Sequence, residues 1–439
     1  MYYGNWSTQN KSLPGVYVRY RGEGAVPSVA GDRGTAALPF TFPWLEEQKV
    51  IELTASEAVA LAARYGSDAL LIQEMAKNAS KLLIYRLNKG VAATATVGIF
   101  TATARYSGTY GNRISVSIVE AVEPEGSFHV ITWLDAEEVE RQTVAAASEL
   151  QDNDYVTFAA GSGSLAAAAG VKLTGGTDGT VANSDHTDAL TAFESREFDA
   201  LACPFDDSAV KTLYTAWARR MITEDGVYPQ VVVPDASGVD FEAVISVKNG
   251  VYLEDGTHVD KAAACAYIAG ATAACALSGS LTNAAYIGAV DVDTRYTRSQ
   301  RDTLSKSGQL VFLPPTAGNN TVTIEKDINT LTVFGAGKTY ALSKNKVIRT
   351  LYTLNRDVIR IAGRYYQGKE PNNENGRSKL KAAILARLRE LEGLAALQNV
   401  VPESVEVLKG DLIDSAVVNL AVQPVDVVET FYTSVTVEG

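Results

Sequence analysis

The sequence predicts an α+β, multi-domain protein: an α/β core domain with a β-rich insertion, an α+β C-terminal domain, and extended N- and C-terminal strand arms. Three observations carry this. Both ends alternate with period 2, helical and strand-like segments alternate on either side of a compositional break, and two long amphipathic helices stand together late in the chain.

At the front, Leu13–Tyr20 sets Val16, Val18 and Tyr20 on one face against Tyr17 and Arg19 on the other, the alternation of a strand. Residues 1–27 otherwise lack a core pattern, are punctuated by Pro14-Gly15 and Gly22-Glu23-Gly24, and read as an extended arm. The α/β core domain is assigned to residues 28–90 and 177–309. A helix is expected over 56–64, with Ala58, Leu61 and Ala62 on one face, Ser56 as cap and Gly66 as stop. A second helix over 68–78 leads into a strand at Leu82–Leu87.

Near Gly90 the composition shifts to Ala, Thr, Ser and Val, with short alternating runs at 92–104, 114–119, 128–133 and 155–160; residues 91–176 read as a β-rich inserted domain. The α/β texture returns with a helix at 188–194, a strand at 201–204, a helix at 209–221 and a strand at 230–234. The C-terminal domain, residues 310–424, carries strands at Leu310–Leu313, Thr321–Glu325, Asn329–Phe334 and Ser415–Gln423. It also carries two helices. Asn345–Tyr366 aligns Val347, Leu351, Leu354, Val358 and Ile361, and Ser378–Leu397 aligns Leu380, Ile384, Leu388, Leu391 and Ala395. The closing arm, 425–439, places Val425, Val427, Glu429, Phe431, Thr433, Val435 and Val437 on one face. A terminal strand leaves N–H and C=O groups unpaired unless another strand accepts it. If the acceptor lies on a neighbouring molecule, the chain is a polymer subunit.

At 439 residues with 46% apolar and 21% charged, the chain has the composition of a folded protein and not of a disordered one. No run of 18 apolar residues predicts a membrane span, and Met1–Trp6 carries neither a basic nor an apolar leader region. Cys203, Cys265 and Cys275 are scattered among Ala and Pro and read as small buried hydrophobes in a reducing compartment. A net charge of −12 argues against nucleic-acid binding. The charge is uneven: Lys344–Glu390 holds twelve Lys/Arg against four Asp/Glu, a balance of +8, which suggests an acidic surface in the working environment.

Motifs for chemistry are thin. Gly161-Ser162-Gly163-Ser164-Leu165-Ala166 resembles a dinucleotide fingerprint but sits in the β-rich insertion, where a turn followed by a short Ala-rich helix is the simpler reading. Gly335-Ala336-Gly337-Lys338-Thr339 carries half a phosphate loop, yet its first glycine position is Thr332 and a hairpin turn explains it. His129, His186 and His258 stand alone, so no zinc site, catalytic residue or cofactor is expected. The helix 378–397 is different: Arg377, Lys379, Lys381, Arg387 and Arg389 decorate its polar faces, either as a solvated face or as a docking surface for an acidic partner.

Seven stretches go further. Leu13–Val18, Ala30–Phe40, Leu173–Gly179, Ile324–Thr332, Lys344–Leu351, Gly376–Lys381 and Gln423–Asp426 resemble the contractile tail sheath proteins of myophage tails, defective prophage particles and R-type bacteriocins. The resemblance implies a non-enzymatic homo-oligomer, hexameric rings stacked into a helical sheath around an inner tail tube protein, with baseplate and tail-terminator proteins at the ends. It implies no nucleic-acid binding and no direct membrane insertion; it implies assembly in the bacterial cytoplasm, a place in the tail sheath of a virion or phage-tail-like particle, and contraction that drives the tube through a target cell envelope. In such a sheath Val16, Tyr17, Val18 and Tyr20, with Val427, Phe431, Val435 and Val437, would pair with the sheet of a neighbour's C-terminal domain, built around Thr321–Glu325, Asn329–Phe334 and Ser415–Gln423. Arg377, Lys379, Lys381, Arg387 and Arg389 would face the tube, whose outer surface is often acidic in such machines. A nucleotide-using α/β enzyme and a surface-layer array protein are the rival readings.

Overall fold

The structure, a computed structural model, describes residues 2–4, 15–17, 33–335 and 337–436. Val18, Tyr20 and Val437 therefore lie outside the described residues. Two compact units are present, the larger taking in Asp32–Arg356, Leu394–Ala396 and Pro424–Gly439 and the smaller Met1–Gly31, Asp357–Gly393 and Leu397–Gln423.

The larger unit is organised by a seven-stranded sheet, in spatial order Gln309–Leu310, Val244–Val247, Gln230–Pro234, Ala200–Ala202, Thr35–Phe40, Lys81–Arg86 and Val50–Thr54. Every neighbouring pair is parallel except the last, where Val50–Thr54 runs against Lys81–Arg86. Alternation along Thr35–Phe40 sends Ala36, Leu38 and Phe40 to one apolar cluster and Ala37 to the other, so both faces of the sheet are buried. Helices Ala55–Tyr65, Leu70–Ala76 and Lys261–Ala274 supply the first cluster; Asn183–Glu194 and Ser208–Thr223 supply the second.

The first helix begins one residue earlier than expected because Thr54, not Ser56, caps it: its hydroxyl accepts from the Glu57 N–H while the Glu57 carboxylate accepts from the Thr54 N–H. Gly66 ends it as predicted. Lys261–Ala274 has no sequence signature of amphipathicity because it is buried all round, from Ala264 to Ala273. It crosses Leu70–Ala76 at Gly270, where a Cβ would lie 2.5 Å from the Met75 carbonyl oxygen.

The inserted segment is all β. One sheet orders Glu137–Val144, Phe128–Leu134, Ile114–Glu120 and Ala168–Lys172; the other orders Val156–Ala160, Phe100–Ala104 and Thr94–Val97. Val97, Phe100 and Ala102 from the second sheet and Ile114, Val116, Ile118 and Val130 from the first share one buried cluster. The chain enters and leaves through a neck in which Val91 bridges Thr177. Gly179 sits there at φ +70°, with the Lys89 carbonyl where its Cβ would be.

Three readings of strands change. Leu310–Leu313 splits, Gln309–Leu310 finishing the large sheet while Phe312–Leu313 pairs with Thr323–Ile324. Asn329–Phe334 is not a strand: the N–H groups of Thr332 and Val333 donate to the Asp240 carboxylate at 2.8 and 2.9 Å, which replaces a ladder with a side-chain cap. After Gly161–Ala166 comes strand Ala168–Lys172, not a helix.

Candidate assembly surfaces

In a doubly wound sheet the natural ligand cleft opens at the carboxyl ends of the strands where the order reverses. Here that point lies between Thr35–Phe40 and Ala200–Ala202, and a cavity of about 1040 Å³ opens there, lined by Thr41, Asn88, Asp178, His186, Phe205 and Asp207 among others. Two of its acids, Asp178 and Asp207, are already engaged. Asp178 accepts from the N–H and hydroxyl of Thr109 at 2.7 and 2.8 Å, and Asp207 caps helix Ser208–Thr223 through the Ala209 and Val210 N–H groups. His186 shares a hydrogen bond of 3.1 Å with the Tyr214 hydroxyl and stands edge-on to Phe205, and burial lowers its pKa below the usual 6.5. The half phosphate loop fares no better: Lys338 pairs with Glu242 at 3.0 Å, and a short 3₁₀ turn, Tyr340–Ser343, follows it. Among the described residues no group of three or more His, Cys, Asp or Glu could hold a metal ion.

The smaller unit is built differently. From Asp357 the end of helix Asn345–Ile361 runs into a π-turn, Ala362–Tyr366, then helix Glu374–Gly393, then a hairpin of Val405–Lys409 and Ala416–Leu420. The predicted stripe is buried: Leu380, Ile384, Leu388 and Leu391 pack inward, while Ala395 lies beyond the helix with φ +55°. On the hairpin, Val405 is buried whereas Leu408 and Val417, cross-strand partners, are 44% and 46% exposed. The Gly410 N–H to Ser415 carbonyl bond and the Ala421 N–H to Ser404 carbonyl bond bracket the ladder. Alternation between them turns the main-chain groups of Ala416, Val418 and Leu420 outward, away from Val405–Lys409. Among the described residues no further strand pairs with this two-stranded sheet. A cleft of about 340 Å³, lined by Tyr366, Pro371, Arg377, Leu380, Ala416 and Val418, runs beside that open edge.

The five candidate cations on the second helix fall into different roles. Arg387 is buried: it donates to Asp357 at 2.7 Å and to Glu390 at 2.8 Å. Burial acts to lower its pKa, but Glu390 and Asp357 outweigh it and hold the guanidinium above its ordinary value. Arg377 donates to the Asn372 carbonyl at 3.1 Å, and Asn372 in turn holds the Ser415 carbonyl at 2.7 Å, so this arginine braces the hairpin. Lys379 pairs with Glu370 on the surface, Lys381 is half-buried and Arg389 is exposed.

The basic island is correspondingly less available than its charge count suggests. Lys344 pairs with Glu429, Lys346 donates to the Val425 carbonyl, Arg349 pairs with Asp327 and Arg356 with Asp199. These four answer acceptors outside the island, whereas Arg387 answers Asp357 and Glu390 within it.

The C-terminal arm has no regular secondary structure and joins no ladder over 425–436. Val427 is half-buried, whereas Phe431, Tyr432 and Val435 are 81%, 95% and 81% exposed. At the other end Gly15–Tyr17 pairs in parallel with Tyr2–Gly4, setting Val16 beside Tyr3 and Tyr17 beside Gly4.

A doubly wound body, a β insertion and a helix–hairpin unit are the parts of this chain, and the comparisons with known proteins show which family combines them. Residues 179–330 match the phage tail sheath protein central domain, residues 88–178 the phage tail sheath protein beta-sandwich domain, and residues 338–438 the phage tail sheath C-terminal domain. The crystal structure of a sheath tail protein from Desulfitobacterium hafniense is 38% identical with a TM-score of 0.86, covering 94% of this chain and 97% of that one. The phage-like element PBSX protein XkdK of Bacillus subtilis (strain 168) is 35% identical over 98% of both chains. The helical sheath of the anti-feeding prophage in its contracted state shares the fold, with a TM-score of 0.57 over 97% of this chain and 99% of that one, at 13% identity. This chain belongs to the phage tail sheath protein family.

Two outcomes follow from the site geometry. Arg387→Ala should destabilise the smaller unit by about 1.5–3 kcal/mol, because the buried Asp357 carboxylate loses its 2.7 Å bond from the guanidinium, whereas Arg389→Ala should change stability by less than about 0.5 kcal/mol; denaturant unfolding of the two variants measures this. For His186, the unfolded chain takes up a proton near pH 6.5 while the folded chain does so only at its lower pKa. Stability is therefore lost as pH falls below 6.5, by at most about 1.4 kcal/mol per pH unit, and His186→Asn should flatten this part of a melting-temperature profile between pH 7.5 and 5.

Proposed function

We propose that the chain is the structural subunit of a contractile tail sheath, stacking as hexameric rings around an inner tube and contracting to drive that tube through a target cell envelope. The observation that carries this is the pairing of opposites within one chain: an exposed arm of alternating apolar residues and a two-stranded sheet with an outward edge, neither with a ladder partner among the described residues. One copy's residues 430–436 would add to the outward-facing edge of Ala416–Leu420 in a second copy, seating Phe431 and Val435 against its apolar surface. Each added main-chain hydrogen bond contributes about 0.5–1.5 kcal/mol net, so a strand of them links neighbours without a covalent bond. Such links persist while the bodies between them rotate and repack, and the free energy for contraction lies in those repacked contacts, with no nucleotide required. The acceptor is thus narrower than the sheet expected from sequence, since Thr323–Ile324 already pairs with Phe312–Leu313 on one side and meets Ala285 on the other, and Asn329–Phe334 forms no strand.

For the tube, Lys379, Lys381 and Arg389 are the proposed contacts, with Arg377 and Arg387 holding the helix that presents them. Weak exposed pairs of roughly 0–1 kcal/mol add up when repeated along a symmetric polymer. Baseplate and terminator proteins would cap the two ends. Assembly in the cytoplasm and residence in a phage-like particle complete the reading; among the described residues no helix is long and apolar enough to cross a membrane.

Val418→Pro removes an outward N–H while leaving the hairpin's own ladder intact, so it should give a folded monomer that forms no tubes in negative-stain micrographs. Striated tubes from this variant at wild-type concentration would sink the edge assignment. Reversing Lys379, Lys381 and Arg389 to Glu should leave sheath polymers that no longer co-sediment with purified tube protein; unchanged co-sedimentation would rule this helix face out.

A further inference from the structure

Residues 424–429 stay with their own subunit. The Val425 N–H donates to the Ala396 carbonyl at 3.0 Å, and the Lys346 ammonium donates to the Val425 carbonyl. At Glu429 the attachment becomes ionic. The Lys344 ammonium pairs with one carboxylate oxygen and the Thr282 hydroxyl donates to the other at 2.7 Å. The Lys344 side chain is only 5% exposed and that of Glu429 16%. Thr282 also accepts from the Asp327 N–H at 2.9 Å, and Asp327 holds Arg349 at 2.8 Å. From Thr430 onward every described arm residue is exposed, and none hydrogen-bonds elsewhere among the described residues.

Glu429 is also the one charged residue on its face, among Val425, Val427, Phe431, Thr433 and Val435. A strand whose face is all β-branched or aromatic could slip by two residues at little cost. A carboxylate facing one buried lysine cannot, because a slip leaves that lysine without its counter-charge.

We infer that Glu429 is the clasp of the arm: its ion pair with Lys344 ends the part of the strand that belongs to its own subunit and sets the register in which residues 430–436 reach a second copy. The inference rests on the reading of those residues as a lent strand. Pinning the root pre-organises the free segment, so less ordering remains to be done when it docks.

Glutamyl endopeptidase, which cuts after accessible glutamates, tests this on the full-length chain below its assembly concentration. Cleavage after Glu429, read by mass spectrometry, should be at least about tenfold slower in wild type than in a synthetic peptide covering 424–436, and Lys344→Met should remove most of that protection while other glutamates are cut as before. Tubes of Lys344→Met should appear only at several-fold higher protein concentration. Wild type cut as fast as the peptide, or Lys344→Met cut as slowly as wild type, overturns the clasp. If Lys344→Met unfolds, cleavage rises at every glutamate and the ratio of wild type to peptide decides alone. Protection at Glu429 in a wild-type chain that never forms tubes would uphold the clasp and contradict the sheath reading, so the two fail separately.

Discussion

The larger unit depends on one buried carboxylate. Asp327, 1% exposed, receives the guanidinium of Arg349 and the side-chain amide of Asn345 at 2.8 Å and the Leu281 N–H at 3.0 Å. Burial alone would raise its pKa; Arg349, Leu281 and Asn345 outweigh that and hold it below the usual range. Such a pair is a poor source of stability compared with well-packed hydrocarbon, but a demanding one in geometry. It fixes the start of helix Asn345–Ile361 against the loop at 279–282, and the Thr282 hydroxyl passes that constraint on to Glu429.

That arrangement separates what must be rigid from what must be free. The doubly wound sheet, apolar on both faces, gives a body that can move as a unit. The ligand cleft that such sheets usually offer is present as a cavity, but two of its acids, Asp207 and Asp178, are engaged in capping a helix and holding a turn, which fits a fold used as scaffold. The arm beyond Thr430 and the outward edge of Ala416–Leu420 carry main-chain groups with no ladder partner among the described residues. In a monomer these are liabilities; in the proposed polymer they are complementary.

Much of this was legible in the sequence where burial or alternation was strong. Gln230–Pro234, an apolar run buried on both faces, and Lys81–Arg86 were read nearly to the residue, as was the apolar stripe of Leu380, Ile384, Leu388 and Leu391. Lys261–Ala274 escaped because a helix buried all round has no polar face to give it a period. Glu137–Val144 escaped because an edge strand of Glu and Arg looks like a loop, and Val405–Lys409 because its alternation is short. The roles of the cations were the least legible. Lys344, Lys346, Arg349 and Arg356 look like an exposed basic patch until the fold brings acceptors from Glu429, Val425, Asp327 and Asp199, distant in sequence, against them. One signal was available: a lone glutamate, Glu429, on an otherwise uncharged strand face.

Cryo-electron microscopy of the assembled polymer tests the central claim most directly, because the path of residues 430–436 can be traced from Glu429. Density continuing from each subunit onto the Ala416–Leu420 edge of a neighbour, as a third strand of its hairpin, is the predicted result. An arm that folds back on its own subunit, with the neighbour's edge left open or filled by another segment, would contradict it.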